Sequence, residues 1–320
     1  TFAPSRLGSP SLPATPGVAA NAARALPAAG STVRAIAWAA PAVLLYFAML
    51  VRLWFDAPIW DDYDTILRSA NAMHDAATGR EWWAALLAQH NDHRIVVMRL
   101  ATQASILLAG GDDFRAMMAL GNLAVVGVFA IVCLAFRASA TAPVIAAAAF
   151  LQFQWTYPEA SLMASAAVPN LGVVFFSLAC VTFASRDGPR ALAACVVFGL
   201  LAAGSQTNGL LAFPLAAAAS FAAGKRSRTV TFGVLAVILR GRLFSYYQRM
   251  PNQPSLAAAF ADPVTAGMLF FINLGGAWTG VRGAALLGLA IFAALAWLTW
   301  KGAWRKHPAA GWLVAFLVLS

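Results

Sequence analysis

The chain has 320 residues, of which 61% are hydrophobic and only 11% are charged, and its formal net charge is +10. Soluble domains carry about 25% charged residues, so the composition excludes an ordinary soluble domain and predicts an all-α, polytopic transmembrane helical bundle. The basic residues form short clusters between apolar runs and no nucleic-acid-binding motif is present, so the positive charge does not indicate a nucleic-acid partner.

The N-terminal part of the chain predicts a tail followed by a first membrane helix. Residues 1–33 are rich in Pro, Ala, Ser and Gly, which is typical of a disordered segment, here on the cytoplasmic side. The apolar run at 35–53 is too long for the apolar region of a signal peptide, so it predicts an uncleaved helix that opens a transmembrane domain over 34–320. Because the chain starts at Thr1 and its last apolar run stops at Ser320, we expect both ends to be incomplete.

The stretch that follows gathers most of the titratable side chains. Between Trp54 and Phe114 lie nine of the 12 acidic residues and three of the four histidines, two of them in one short motif. We predict that residues 54–113 form a large loop outside the membrane. The apolar run at 95–109 within it contains Arg99, which favours a helix on the outer membrane surface over a lipid-facing span.

The rest of the chain predicts further helices, at about 114–136, 142–154, 164–184, 190–204, 210–223, 229–240, 283–300 and 309–320. Lys and Arg are enriched in cytoplasmic loops. The connections at 185–190, 224–228 and 301–307 are basic, so we predict that they are cytoplasmic and that the acidic loop faces outside. The same alternation requires residues 264–277, although apolar, to lie at the outer interface without crossing.

The motif WDDYD begins the acidic loop. Carboxylates held close together in a partly desolvated site repel each other, so one of them retains a proton more readily, which suits a general base or a metal ligand. Asp61 and Asp62 are therefore candidate catalytic residues, with Trp60, Tyr63 and Asp64 as candidate substrate-binding residues beside them. An ordinary solvated acidic loop is the alternative.

The second motif, QHNDHR, supplies five more candidate substrate-binding residues: His90, Asn91, Asp92, His93 and Arg94. An amphipathic helix at 81–90 is predicted to carry it, and on a helix His90, His93 and Arg94 would share one face. Such a group can hold a phosphate and move a proton. An H-x-x-H spacing alone does not require a metal, so a divalent metal cofactor stays open, as does a salt-bridged loop without a ligand.

Three further polar segments are predicted on the same side, at 156–159, 205–209 and 244–254. Amides and aromatic rings suit a sugar, and an arginine at headgroup level suits the phosphate of a lipid carrier. Each segment by itself is equally typical of a plain helix end or a long loop. They contribute the candidate substrate-binding residues Glu159, Gln206, Asn208 and Arg249.

The order of these features resembles the C-type integral-membrane glycosyltransferases, in which a first membrane helix precedes a large outer loop with an Asp motif and juxtamembrane helices. WDDYD and HNDHRI, with GGDDF at 110–114 and TNGLLAFP at 207–214, resemble in particular a group of bacterial membrane proteins within or near that superfamily. The resemblance extends over about 35–320. It implies a multi-pass protein of the bacterial inner membrane, with a cytoplasmic N-terminus, that transfers a sugar from a polyprenyl-phosphate donor to an acceptor on the outer face. Asp61 or Asp62 would then be the catalytic base.

Two other functions stay open. A transporter or flippase of a lipid-linked or polar solute would use broken helices, for which Pro41, Pro169 and Pro214 are candidates. A non-catalytic membrane subunit would use the outer loop to bind a partner protein. The predicted partners are the lipid bilayer and a lipid-linked sugar donor, and the sequence does not determine the oligomeric state. The three cysteines lie in apolar runs without C-x-x-C spacing, so no metal or redox role is assigned to them.

Overall fold

The computed structural model describes residues 29–136, 141–155, 158–245, 247, 248, 250, 256–276, 281–306 and 308–319. Within these residues the chain is helical, without a β-strand, which confirms the all-α prediction. In the same part of the chain three helices are long and apolar enough to cross a membrane, at Phe114–Phe136, Ala164–Ala184 and Arg282–Trp300. The other apolar helices found there have 10–17 residues, fewer than the about 20 residues of a typical span.

The first helix, α1, covers Ala29–Leu53, so the last residues of the predicted 1–33 tail are helical, and residues 1–28 lie outside the described residues. Tyr46 in α1 is buried and stacks on Trp155, with ring centroids 5.1 Å apart. Its hydroxyl donates to Asn122, and Ser161 Oγ lies 2.9 Å away. This buried polar cluster links α1 to the helix Phe114–Phe136, because polar groups buried in an apolar bundle need hydrogen-bond partners.

The acidic loop folds into short helices: the π-helical segment Tyr63–Leu67, α2 (Arg68–His74), α3 (Gly79–Leu86) and α4 (Val96–Ala109). The start of α3 is capped by Thr78, whose Oγ1 accepts the Glu81 N–H at 3.2 Å, while Glu81 Oε2 accepts the N–H of Ala77, one residue before the cap, at 2.8 Å. The helix ends four residues before the predicted end at residue 90. The π-helical segment and α4 meet the start of the next helix in a core under the loop that includes Ile66, Met98 and Met118.

Two acids of the loop cap the helix α5 (Phe114–Phe136). Asp56 Oδ1 accepts the Phe114 N–H at 3.1 Å, and Asp113 Oδ1 accepts the Ala116 N–H at 2.8 Å. Carboxylates stabilise a helix N-terminus because its first N–H groups lack intrahelical partners and carry partial positive charge. Two of the acidic residues in the loop therefore stabilise the N-terminus of the helix that follows it.

A bundle continues from α5 through α6 to α12. These helices are α6 (Ala142–Gln152), α7 (Pro158–Leu162), α8 (Ala164–Ala166), the π-helical segment Ala167–Leu171, α9 (Gly172–Ala184), α10 (Pro189–Ser205), the 3-10 segment Thr207–Leu211, α11 (Ala212–Ala222) and α12 (Arg226–Phe244). Their shared core contains the fully buried rings of Phe213, Phe232 and Phe316. A Cβ on Gly199 would lie 2.4 Å from the Phe213 ring, so a glycine is needed where α10 meets α11.

The continuous helix Ala164–Ala184 joins the acidic loop to the basic connections. At its first turn the Ser165 N–H donates to Asp62, and just past its last turn the Ser185 carbonyl accepts from Lys225. Its 21 residues extend over about 32 Å at 1.5 Å per residue, close to the about 30 Å of a bilayer core. Acidic and basic chemistry thus lie about one bilayer thickness apart.

The C-terminal helices are α13 (Leu256–Ala261), α14 (Pro263–Gly275), α15 (Val281–Trp300), α16 (Ala303–Lys306) and α17 (Pro308–Leu319). Helix α14 runs antiparallel to α15 at backbone contact. A Cβ on Gly275 would lie 2.1 Å from the Ala284 carbonyl oxygen, and a Cβ on Gly288 would lie 1.9 Å from that of Phe271. The structure pairs the described part of 264–277 with α15, and its position at the outer interface without crossing stays a prediction.

Candidate functional site

Asp62 is buried and fastens the WDDYD motif to the bundle. Its side chain is 0% exposed. Its Oδ2 accepts the Ile59 N–H at 3.1 Å, and its Oδ1 accepts the Ser165 N–H at 2.8 Å. Trp60 between these anchors has φ 46°, a left-handed conformation that is uncommon for a bulky residue. Asp62 therefore shapes the motif from within, at a place that a substrate does not reach.

Asp61 has the opposite environment. Its backbone carbonyl accepts the Thr65 N–H at 2.8 Å and the Thr65 hydroxyl at 2.5 Å, which starts the π-helical segment. Its side chain is exposed, and its carboxylate accepts no hydrogen bond from the residues that the structure describes. Of the two neighbouring candidates, Asp61 is the one whose carboxylate is free to receive a proton.

The other three residues of the motif lie at the surface. Trp60 is 70% exposed and Tyr63 is 55% exposed. Asp64 pairs with Arg68 across one helical turn at 3.6 Å, and both side chains are exposed, so the pair contributes little to stability. The exposed rings suit a membrane interface or the apolar face of a sugar.

The QHNDHR motif is a tight turn and not a helix, so the predicted shared helical face does not exist. His90 and His93 exchange two backbone hydrogen bonds, of 2.8 and 2.9 Å, around Asn91 and Asp92. Asn91 has φ 49°, which asparagine tolerates better than most residues because its short side chain bonds locally. The prediction of a helix over 81–90 was wrong at its C-terminal end, because α3 ends at Leu86. Side chains from further along the chain bind the carbonyls at this end.

His93 is held at both ring nitrogens. Its Nε2 lies 3.1 Å from Asp92 Oδ1, and its Nδ1 lies 3.1 Å from Thr207 Oγ1. The Thr207 hydroxyl also donates to the Asp92 carbonyl at 2.6 Å. These bonds fasten the turn to the segment between α10 and α11, so His93 and Thr207 act as positioning residues.

His90 is the less constrained imidazole. Its Nε2 accepts from the Asn91 side-chain amide at 3.2 Å, which assigns the ring proton to Nδ1. Burial lowers the pKa of His90, and the charge of Asp61 partly opposes this shift. That the two motifs share one site stays a prediction.

Arg94 is a clamp between two helix ends. Its Nε donates to the Leu243 carbonyl at 2.8 Å, its Nη2 donates to the Ser245 carbonyl at 2.9 Å, and its Nη1 donates to the Leu87 carbonyl. Carbonyls at a helix C-terminus lack intrahelical partners, so a guanidinium there is well matched. Arg94 thus binds the end of α3 to the end of α12, and only its remaining N–H groups can meet a ligand.

Arg99 repeats this arrangement from α4. It is 4% exposed, and its Nη1 donates to the Leu86 and Ala88 carbonyls at 2.9 and 2.5 Å. Burial, followed by the charge of Arg94, lowers the pKa of Arg99 to about 10, so it still carries a charge at neutral pH. The Arg99 side chain therefore lies inside the protein and gives no sign of where α4 lies relative to a membrane, so the surface position of 95–109 stays a prediction.

A shallow depression lies where three segments meet, and its lining includes Asp92, Arg94, Thr207, Leu243 and Tyr247. The last segment is fastened by the Gln89 amide, which accepts the Gln248 N–H at 2.9 Å and donates to the Gln248 carbonyl at 2.5 Å. Thr207 and Gln89 were not among the predicted site residues. Both flank residues that were, and only the fold shows what they bind.

The remaining predicted residues are distributed unevenly. Gln206 donates to the side chain of Asn170, and the buried Oδ1 of Asn208 has no partner among the described residues. Both adjoin Thr207 and so belong to the site region. Glu159 is exposed on α7, and no contact of its side chain with either motif is found among the described residues. Arg249 lies outside the described residues.

Neither a metal site nor a similar protein indicates which reaction the candidate site could perform. Among the described residues no group of three or more His, Cys, Asp or Glu side chains is placed to hold a metal ion. Comparison of the chain with protein-family models, with curated proteins and with solved structures found no match. The site itself therefore has to carry any functional argument.

Proposed function

We propose that this protein is a membrane glycosyltransferase that moves a sugar from a polyprenyl-phosphate donor to an acceptor hydroxyl on the outer face, with Asp61 as general base. The observation that supports it best is the difference in environment between the two neighbouring aspartates of WDDYD. Two backbone N–H groups hold the Asp62 carboxylate in the interior, while the Asp61 carboxylate is exposed and without a hydrogen bond among the described residues.

We further propose that the chain is a multi-pass protein of a bacterial inner membrane, with its N-terminus cytoplasmic and the acidic loop outside. The three helices long enough to span support this placement. The basic connections at the far end of Ala164–Ala184 support the orientation, because Lys and Arg favour the cytoplasmic side.

In the proposed reaction Asp61 takes the proton of the acceptor hydroxyl while the hydroxyl oxygen bonds to the anomeric carbon of the sugar. The bond from that carbon to the phosphate oxygen breaks, and its electron pair leaves with the polyprenyl phosphate. The charge of Arg94 in the depression stabilises this departing anion. The Nδ1–H of His90, which its contact with Asn91 assigns, is a further hydrogen-bond donor near Asp61.

The test compares Asp61→Asn with Asp62→Asn in membranes that contain the full chain and a panel of polyprenyl-phosphate sugars, with release of polyprenyl phosphate followed by mass spectrometry. Loss of a general base lowers turnover about 10²- to 10⁴-fold, so Asp61→Asn should do so without loss of folded protein. Asp75→Asn, at another exposed acid of the loop, is the matched control and should keep full turnover. Wild-type turnover by Asp61→Asn would refute the base assignment.

Transport is the second candidate, and one observation favours it. The helix Ala164–Ala184 is locally π-helical at Ala167–Leu171, around Pro169, and Asn170 there accepts from Gln206. Irregular helices at a polar site are typical of transporters. Movement of a labelled lipid-linked sugar across proteoliposomes, without covalent transfer, would support transport over glycosyl transfer.

A further inference from the structure

The fold joins two basic connections that are separated by about 40 residues in the sequence. Lys225 donates to the Ser185 carbonyl at 2.5 Å and pairs with Asp187 at 2.8 Å. Arg228 donates to the Gly188 carbonyl at 2.8 Å and to the Arg186 carbonyl. Lys225 and Arg228 thus bind carbonyls just past the end of α9 and bring the start of α12 beside the start of α10.

The result is a surface that we call the basic patch, made of Arg186, Arg190, Lys225, Arg226 and Arg228. Against these five cations stands one carboxylate, Asp187, which leaves an excess of four positive charges. Arg190 and Arg226 are exposed in the first turns of α10 and α12. Neither helix has a side-chain cap at its N-terminus, so unpaired N–H groups add partial positive charge to the patch.

Exposed apolar side chains adjoin this patch. Phe221 near the end of α11 is 70% exposed, and Val230, one turn after Arg226, is 65% exposed. A free phosphate ion would use only the cations, whereas a phospholipid would use the cations for its headgroup and the apolar side chains for its acyl chains. The combination therefore favours a lipid.

We propose that the basic patch binds anionic phospholipid headgroups of the cytoplasmic leaflet. The inference rests on the proposed membrane placement and not on glycosyl transfer. Such binding holds the ends of α9 to α12 at the membrane surface, opposite to the outer site. Lys225 and Arg228 mainly join the two connections, and Arg190 and Arg226 present charge to the lipid.

The experiment titrates the purified full chain with phosphatidylglycerol or with phosphatidylcholine and measures binding by native mass spectrometry. The wild type should prefer phosphatidylglycerol. A basic side chain near an anionic surface contributes about 1 kcal/mol, so the double variant Arg190→Gln, Arg226→Gln should bind phosphatidylglycerol about 30-fold more weakly. The matched control removes two exposed arginines from the acidic end, Arg80→Gln and Arg115→Gln, and should bind as the wild type does.

Three outcomes would overturn the proposal. They are equal affinity of the wild type for the two lipids, wild-type affinity in the Arg190→Gln, Arg226→Gln variant, and full displacement of phosphatidylglycerol by inorganic phosphate at matched charge. The last would indicate a site for a free anion. A circular-dichroism spectrum and a melting temperature equal to those of the wild type are required of both variants, so that loss of fold is not read as loss of binding.

Discussion

At the scale of single residues, the adjacent carboxylates of Asp61 and Asp62 have different environments. Asp62 has two backbone N–H partners and no exposed surface, whereas the side chain of Asp61 is exposed. A buried carboxylate is stable only when such donors satisfy it. Loss of the Asp62 carboxylate should therefore disturb the structure, whereas in the proposed function loss of Asp61 removes the general base.

We predict that Asp62→Asn lowers the free energy of unfolding by about 1–3 kcal/mol. The asparagine amide has one acceptor oxygen instead of two, so one of the two backbone N–H groups would lose its hydrogen bond and face the amide NH₂ group. Asp61→Asn should change it by less than about 0.5 kcal/mol, as exposed substitutions usually do. Thermal unfolding in one detergent measures both. Equal stability of the two variants would contradict the assignment of Asp62 as an internal anchor.

His90 predicts a loss of stability in mild acid. Because burial lowers its pKa in the folded state, the unfolded chain binds more protons than the folded chain just below the usual histidine pKa of about 6.5. The His90 contribution to stability is therefore complete above that pH and is lost as the pH falls toward the lowered pKa. His90→Gln should flatten the decline in melting temperature between about pH 7 and pH 5. His74→Gln, at an exposed histidine, should leave the decline unchanged.

At the scale of elements, arginine side chains decide how helix ends meet. Arg94 joins the ends of α3 and α12, and Arg99 holds the end of α3 to α4. Hydrogen bonds that link elements distant in sequence determine the shape of the depression. The hydrophobic pattern of each helix does not contain that information.

We predict that Arg94→Lys frees the segment after α12. A lysine ammonium cannot reach three carbonyls in the planar geometry of a guanidinium, so hydrogen exchange at 243–248 should accelerate and unfolding should become easier by about 1–3 kcal/mol. Arg68→Lys, at an exposed ion pair, is the control and should change neither. Unchanged exchange at 243–248 in Arg94→Lys would argue against the clamp.

The pair α14 and α15 predicts a contrast between two glycines. A Cβ on Gly288 would lie 1.9 Å from the Phe271 carbonyl oxygen, whereas a Cβ on Gly267 meets nothing within 4 Å. Gly288→Ala should separate the helices and lower the melting temperature. Gly267→Ala should leave it equal or higher, because alanine favours a helix by up to about 1 kcal/mol over glycine. The reverse order would contradict the close helix pairing.

At the scale of the whole molecule, acidic and basic ends are separated by helices of about bilayer length. Arg80 in α3 and Arg190 in α10 lie at opposite ends, so cysteines placed there should differ in access. In intact cells a membrane-impermeant maleimide should label Arg80→Cys and should label Arg190→Cys only after the membrane is opened. The native Cys180 and Cys195 are buried, and replacing the partly exposed Cys133 by Ser in all variants removes the remaining background. Labelling of Arg190→Cys in intact cells would refute the proposed orientation.

Much of the helical layout could be predicted, since apolar length and composition are local properties. The predicted runs at 114–136 and 164–184 coincide with helices in the structure. The helix end at Leu86 could not be predicted in this way. Its carbonyls are bound by Arg99, 13 residues later, and propensity carries no signal of such a partner.

The sequence by itself determined that this is an apolar, helical chain with its acids concentrated in one stretch and its cations in short connections. Only the tertiary structure decided which carboxylate is buried, that HNDH forms a turn, and that Thr207 fastens it. The reason is that some properties depend only on neighbouring residues, whereas others depend on residues far away in the sequence. Hydropathy depends on residues within one helix, whereas Ser165 and Thr207, which bind Asp62 and His93, lie more than 100 residues from them and are reached only after the helices pack.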